Sequence, residues 1–363
     1  MATPSVVSAE PATTSAAVRT AHRVGLVPNA LSGEAVEVPA ASLVPLLRMP
    51  DYSIFGGCLR SEIVFPELRE SSDAAPNWTF SARTSAFPID AAEPLGELEV
   101  TPTCRVRMSR HTRGYRLEYD DTGVYDVSPD GRTIVWASGP NPAPTAVRAD
   151  VTGRVLATAL HAAGVLCLHG SAVALDGGTI AFLAPKFHGK STLALALARA
   201  GGRLVTDDVL PVELGAEPTA VPGVHQVKLW DDTAELFGVS RDGVEAGEKH
   251  LVHDFSDTAL MTDRSPLAAC YLLAPLTGDQ TPEAPAVRTK LGDIASALAL
   301  VRQATLGALL GGSEAGVVFD RAVSLAKRVP VYRLDIAPGL ERVPEIVTQL
   351  LAWHGARTPM AAA

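Results

Sequence analysis

Lysine is scarce in this chain: of 31 basic residues among 363, six are lysine and the rest arginine. Positive charge is in deficit as a whole. The 31 basic and 40 acidic residues leave 31 − 40 = −9, with an isoelectric point near 5.5. A nucleic-acid-binding surface over the whole molecule is excluded on that ground, because such surfaces are basic; a local basic pocket for a small anion is not. Cysteine is rare too. Cys58, Cys104, Cys167 and Cys270 lie far apart, with no CxxC pair and no histidine at zinc spacing. That argues against a disulfide framework or structural zinc, and for buried thiols in a reducing cytosol. No apolar run approaches the ~18–20 residues of a membrane-spanning helix. Residues 1–23, rich in Ala, Ser, Thr and Pro, lack the apolar stretch behind a basic start that marks a signal peptide, and read as a flexible tail. Neither a membrane nor a nucleic acid is expected as a partner, the expected location is cytoplasmic, and no solenoid or propeller repeat is evident.

What is present is enough apolar sequence, 47% against 20% charged, to build cores in two domains, with room for a third. Residues 24–144 read as a small β-rich domain. Tyr115, Leu117 and Tyr119 alternate with Arg116 and Glu118 at period two, Asp121-Thr-Gly123 and Asp130-Gly131 mark turns, and Thr133–Trp136 is a further strand. Before about Leu98 proline is frequent and no period stands out. Gly139-Pro-Asn-Pro-Ala-Pro144 reads as a boundary, since closely spaced prolines favour extended backbone. From 145 to 355 strands and helices alternate, the mark of an α/β domain. Val147, Val151, Val155, Ala159 and Ala163 recur every four residues as one helix face. Val165–Leu168 is a short strand ending at His169-Gly170, and Thr179–Leu183, Leu267–Leu273 and Val329–Leu334 are others. Ile294 through Leu310 makes one long helical pattern, and Val343–Trp353 a last amphipathic helix.

The motif that carries chemistry follows the strand Thr179–Leu183. Ala184-Pro-Lys-Phe-His-Gly-Lys-Ser-Thr192 runs directly into the helical Leu193–Arg199. Strand, glycine-bearing loop ending in Gly-Lys-Ser, then helix is the setting of a phosphate-binding Walker A loop. A loop over Ala184, Pro185, Lys186, Phe187, His188 and Gly189 can present backbone N–H groups to a phosphate. The helix that opens at Lys190, Ser191 and Thr192 adds its positive end. Lys190 would reach the β- and γ-phosphates of ATP, and the Ser191 hydroxyl would hold Mg2+. Ala184 stands where the motif has its first glycine, which requires a negative φ there or an adjusted loop. Pro185 removes one N–H donor.

Downstream, Leu204–Thr206 reads as a strand with Asp207-Asp208 at its C-terminal end, where ligands gather in α/β sheets. A carboxylate there can hold Mg2+ or take the proton of a hydroxyl during phosphoryl transfer. Two adjacent carboxylates also repel, which raises one pKa unless a cation is near. With His169 they complete a set of candidates: Asp208, Asp207, His169 and Lys190 for catalysis, Ser191 and Asp207 for the metal.

The stretch LHGSAVALDGGTIAFLAPKFHGKSTLALALARAGGRLVTDDVLPVEL resembles the catalytic core of the HPr kinase/phosphorylase family. The order of a His-Gly strand, a P-loop between strand and helix, a turn with arginine and glycine, and an Asp-Asp pair is shared over about 45 residues. The resemblance implies a C-terminal fold related to phosphoenolpyruvate carboxykinase. It matches His169, Lys190, Ser191 and Asp208 to the family's active-site His, P-loop Lys, metal-binding Ser and proton-accepting Asp, with Asp207 the companion carboxylate. The bifunctional members' LE-x-RG segment has no counterpart in Thr219–Trp230, which lacks its Glu. The chain is therefore more similar to stand-alone serine-kinase-like members, through Pro222-Gly223, Leu229-Trp230, Lys249 and Pro266-Leu-Ala268. Lys228, Lys249 and His225 become candidate substrate or phosphate contacts. The resemblance also brings homo-oligomers into view, without fixing a subunit count.

The expected activity is transfer of the γ-phosphoryl of ATP, with Mg2+, to a hydroxyl on a peptide Ser/Thr or a small molecule. A nucleotide-binding regulatory or assembly module with degraded catalysis is the alternative; a P-loop hydrolase or phosphorylase is a third.

Overall fold

Alternating strands build the first half of the molecule. The computed structural model describes residues 49–355 apart from 72–74, 90, 240–248, 253–254 and 276–283, together with the backbone of a two-stranded pair, β1 (Val27–Pro28) and β2 (Ala35–Val36). The tail expected at 1–23 lies outside the described residues. Nine strands follow: β3 (Asp51–Ile54), β4 (Gly57–Ser61), β5 (Arg69–Glu70), β6 (Trp78–Arg83), β7 (Glu93–Thr101), β8 (Cys104–His111), β9 (Gly114–Tyr119), β10 (Gly123–Val127) and β11 (Thr133–Ser138). They form one sheet in the order β5-β3-β4-β6-β11-β10-β9-β8-β7, parallel only where β6 meets β4 and β11. The strands between residues 51 and 83 come from the stretch that gave no period, because there the hydrophobic residues run in clusters and both faces are partly covered. Arg116, placed by alternation on the open face, is instead buried. Its guanidinium grips Asp126, directly opposite on β10, through two bonds of 2.7 and 2.8 Å.

The helix read from Val147 to Ala163 is two helices, α1 (Pro144–Asp150) and α2 (Leu156–Ala162), joined by a π turn over Val151–Val155 that is kinked at Gly153 (φ −96°, ψ −107°). The reason is in the spacing. A recurrence of four residues drifts around a 3.6-residue helix, and the wider π turn restores the face. Val147, Val151, Val155 and Ala159 are all fully buried as a result.

The second sheet contains β12 (Leu166–Leu175), β13 (Gly178–Leu183), β14 (Arg203–Thr206), β15 (Val209–Leu214), β16 (Pro218–Ala220), β19 (Ser265–Pro275), β20 (Ala286–Lys290) and β21 (Val331–Ile336); β17 (Val227–Leu229) and β18 (His250–Val252) pair apart from it. β13 pairs with both β12 and β19, so the path β13-β12-β15-β16-β19 returns on itself. The helices are α3 (Lys190–Arg199), α4 (Asp231–Leu236), α5 (Asp293–Arg302), α6 (Gly312–Ala326) and α7 (Val343–Trp353). Two sequence readings change here. The strand expected to end at His169-Gly170 runs on to Leu175, and Gly170 is needed because a Cβ would meet the Phe182 carbonyl of β13 at 2.7 Å. The long helical pattern stops at Arg302; Leu306, Leu309 and Leu310 are buried in turns, and α6 follows instead. Glu314 of α6 ties the halves together, bonding Arg110 of β8 at 2.6 Å and His161 of α2 at 2.8 Å. One apolar core runs from the first sheet through α1 and α2 to β15, and a second wraps α3. In α3, Leu193, Leu195 and Leu197 are all buried, each contributing about 1.5–3 kcal/mol.

Candidate functional site

One edge of β12, shared by two successive partners, creates the site. The first half of β12 pairs with β15, ending at His169 opposite Val209; its second half pairs with β14, starting at Ala172 opposite Thr206. Asp207 and Asp208 are the two residues that cross from β14 to β15, facing Gly170 and Ser171. Asp208 takes φ +82°, a left-handed conformation that Asp tolerates better than most residues. Period two puts His169 and Ser171 on one side of β12, and each meets one acid. Ser171 Oγ donates to Asp207 Oδ1, and His169 Nδ1 lies 3.1 Å from Asp208 Oδ1.

The loop after β13 approaches the same acids. Gly189, at φ +83°, turns the chain into α3, and Ser191 Oγ then donates to both oxygens of Asp207 at 2.9 and 3.0 Å. Phe187 also adopts a left-handed conformation, φ +68°. Ala184 does not, so the alanine in the first glycine's place is accommodated without strain. Among the described residues, the backbone N–H groups of Lys186 to Gly189 donate to no protein acceptor. A row of unpaired amides before a helix N-terminus is an anion-binding surface. Lys190, 8% exposed, folds back on its own loop, with Nζ donating to the carbonyls of Ala184 (2.7 Å) and Pro185 (3.0 Å).

These parts line a cleft of about 250 Å³ with Thr192, Lys228, Trp230 and Lys249. Phe187, 75% exposed, stacks on Trp230 at 4.9 Å between centroids, and the Lys249 ammonium sits 5.2 Å from the Trp230 ring. Four of the molecule's six lysines, Lys186, Lys190, Lys228 and Lys249, meet at this one place. Burial lowers the pKa of Lys190 and of Lys249; the two acids oppose the shift, and neighbouring lysines add to it. Such a cluster is stabilised by an arriving polyanion.

The two carboxylates differ. Burial pushes the Asp207 pKa up, and the charge of Asp208 adds to it, against hydrogen bonds from Ser171, Ser191 and the Lys228 backbone N–H. The surrounding protein acts to raise Asp208 as well, but the hydrogen bond with His169 and the charge of Lys228, 3.9 Å away, outweigh it and hold the group well below the usual carboxylate range. Asp208 is also the more open, with 48% of its side chain exposed. Asp207 and Ser191 form a compact pair of oxygen donors. No group of three or more His, Cys, Asp or Glu side chains suited to a metal exists among the described residues. That donor set fits magnesium, which takes one or two protein oxygens and completes its shell with phosphate and water.

Of the sequence candidates, His169, Lys186 to Thr192, Asp207, Asp208, Lys228 and Lys249 line the one cleft. Ala184 and Pro185 reach it only through the Lys190 bonds. His225 does not belong to it: its Nε2 lies 2.9 Å from the Met261 carbonyl, and it lines another cavity. Two contributors had no assigned role, Ser171 and the Trp230 wall. The one sequence signal for Ser171 is its place two residues after His169 on the same strand face.

No protein-family model matches the chain, and no curated protein matches it. Among solved structures, the Hpr(Ser) kinase/phosphatase from Coxiella burnetii is similar over 52% of this chain and 95% of that one, at 16% identity and a TM-score of 0.29. The likeness is distant.

Proposed function

We propose that the chain is an ATP-dependent phosphotransferase acting on a hydroxyl. The observation that carries this reading is the meeting, in one cleft, of unpaired loop amides and four lysines with the Asp208 carboxylate, held well below the usual carboxylate range. The amides of Lys186 to Gly189 and the start of α3 would hold the phosphate tail of ATP, and Lys190 would exchange its loop carbonyls for phosphate oxygens. Ser191 and Asp207 would hold Mg2+, which when bound neutralises phosphate charge. Asp208 accepts the proton of the acceptor hydroxyl as its oxygen bonds the γ-phosphorus and the bond to the β–γ bridging oxygen breaks, the electron pair leaving with ADP. His169 keeps the Asp208 carboxylate aimed. Positioning and charge neutralisation supply most of the acceleration.

One observation favours a binding module without turnover: Lys190 is satisfied by its own loop. Incubation with γ-labelled ATP, a cell extract and mass spectrometry separates the two. Transfer from wild type and its loss by about 100-fold or more in Lys190→Ala is the expected result. Transfer at the wild-type rate in Lys190→Ala would place the site elsewhere.

A further inference from the structure

Asp207, Asp208 and Lys228 border a second space. Apart from the lysine-lined cleft, they line a hollow of about 20 Å³ with Phe55, Gly153 of the π turn and Gln226. That is room for about one water-sized group. Phe55 also walls an outer cavity of about 210 Å³. The segment Pro222–Lys228 serves all three spaces in alternation: Gly223 and His225 face the outer cavity, while Gln226 and Lys228 face the hollow.

In-line transfer sets the attacking and leaving oxygens on opposite sides of phosphorus. The base must then reach the acceptor side, opposite the leaving ADP, and Asp208 borders the hollow as well as the cleft. We propose that the acceptor is a compact small-molecule primary alcohol that binds in the outer cavity and passes its hydroxyl arm through the hollow to Asp208, with Phe55 and Gln226 setting specificity. This deepens the phosphotransferase reading and rests on it.

The walls suit that ligand. Ile54, Phe55, Leu68 and Leu260 give the outer cavity a buried apolar lining, and Arg69 stands at its exposed rim. His225 faces the Met261 carbonyl through Nε2, so that nitrogen carries the proton and Nδ1 is left as an acceptor. Gln226 makes no hydrogen bond to any described residue and is free to hold a hydroxyl. The Phe55 tip is fixed. Phe55 and Gly56 both have positive φ, +49° and +62°, as in a tight hairpin turn, and Arg264 ties the tip to β15 by donating to the Gly56 carbonyl (3.2 Å) and to Glu213 (2.9 Å). A bulky residue in that conformation carries backbone strain, which burial of the Phe55 ring in the core offsets. An aromatic ring does not fit a space for one water; a single hydroxyl at the end of a slim arm does. In the reaction the alcohol oxygen bonds the γ-phosphorus, its proton passes to Asp208, and ADP leaves with the electron pair of the broken bond.

The test uses the full chain with Mg·ATP and three probes, methanol, L-serine and L-tyrosine, with phosphorus NMR separating phosphate from phosphate ester. Water alone should give slow phosphate release; methanol and L-serine should divert flux into ester, and L-tyrosine should not. Gln226→Phe, which fills the hollow, should lower kcat/KM for methanol at least tenfold and leave ATP affinity within about twofold. Phe55→Ala, if it folds, should admit L-tyrosine. Ester formation undiminished in Gln226→Phe, L-tyrosine used as well as methanol by wild type, or a protein as the sole acceptor in place of the alcohols would each overturn the proposal alone. No ATP turnover with any acceptor, water included, would overturn the phosphotransferase reading and this inference with it.

Discussion

At the residue scale, Asp207 and Asp208 are neighbours in sequence with opposite electrostatics. Asp207 sits under Ser171 and Ser191, where burial raises its pKa above the unfolded value. The sign follows: a raised carboxyl contributes full stability below its unfolded pKa, about 4, and loses it as pH rises through the folded value. At neutral pH the buried charge therefore costs stability, and a cation there relieves it. Asp207→Asn should raise the melting temperature of the ligand-free protein by about 2 °C or more and abolish the extra stabilisation that Mg·ATP gives the wild type. Differential scanning calorimetry with and without Mg·ATP checks this; a lower melting temperature with intact Mg·ATP stabilisation would contradict it. The acid pair, Lys190 and Ser191 were legible because short motifs encode them. Ser171 was not singled out, because nothing local separates a serine that grips an acid from one that fills a strand.

At the element scale, the π turn between α1 and α2 places Gly153 beside the acids, and its origin is a hydrophobic recurrence of four where a plain helix needs 3.6. The valines were visible in the sequence; the turn was not, because a face is legible from spacing but the backbone that restores it is not. Leu306–Leu310 misled for a related reason: a cluster of leucines buried in turns has the same composition as a helix face. The π turn begins after Asp150, which accepts a 2.7 Å bond from the Thr122 hydroxyl. Burial, with Asp121 adding, pushes the Asp150 pKa up to about 7, against the Thr122 bond and Arg154. Stability contributed here is full below about pH 4 and is lost as pH rises to about 7. Asp150→Asn should flatten the fall of urea-unfolding stability across that interval. An unchanged pH slope would contradict the assignment.

At the scale of the whole molecule, a chain of net charge −9 gathers four of its six lysines around one pair of acids. Composition gave the acidic total and hid the basic pocket, since counts carry no position. The alternation of strands and helices after residue 145 was legible; the nine-stranded sheet was so only from about Leu98, and the sharing of one core between the sheets depends on contacts such as Arg110 to Glu314, 204 residues apart. The central claim is that this cleft both binds ATP and turns it over through Asp208. Its most direct test pairs calorimetric titration with Mg·ATP and steady-state turnover in wild type and Asp208→Asn. The account predicts an affinity within about threefold of wild type and turnover lower by about 100-fold or more. Turnover that survives the substitution, or a wild-type protein that binds no ATP, would contradict it.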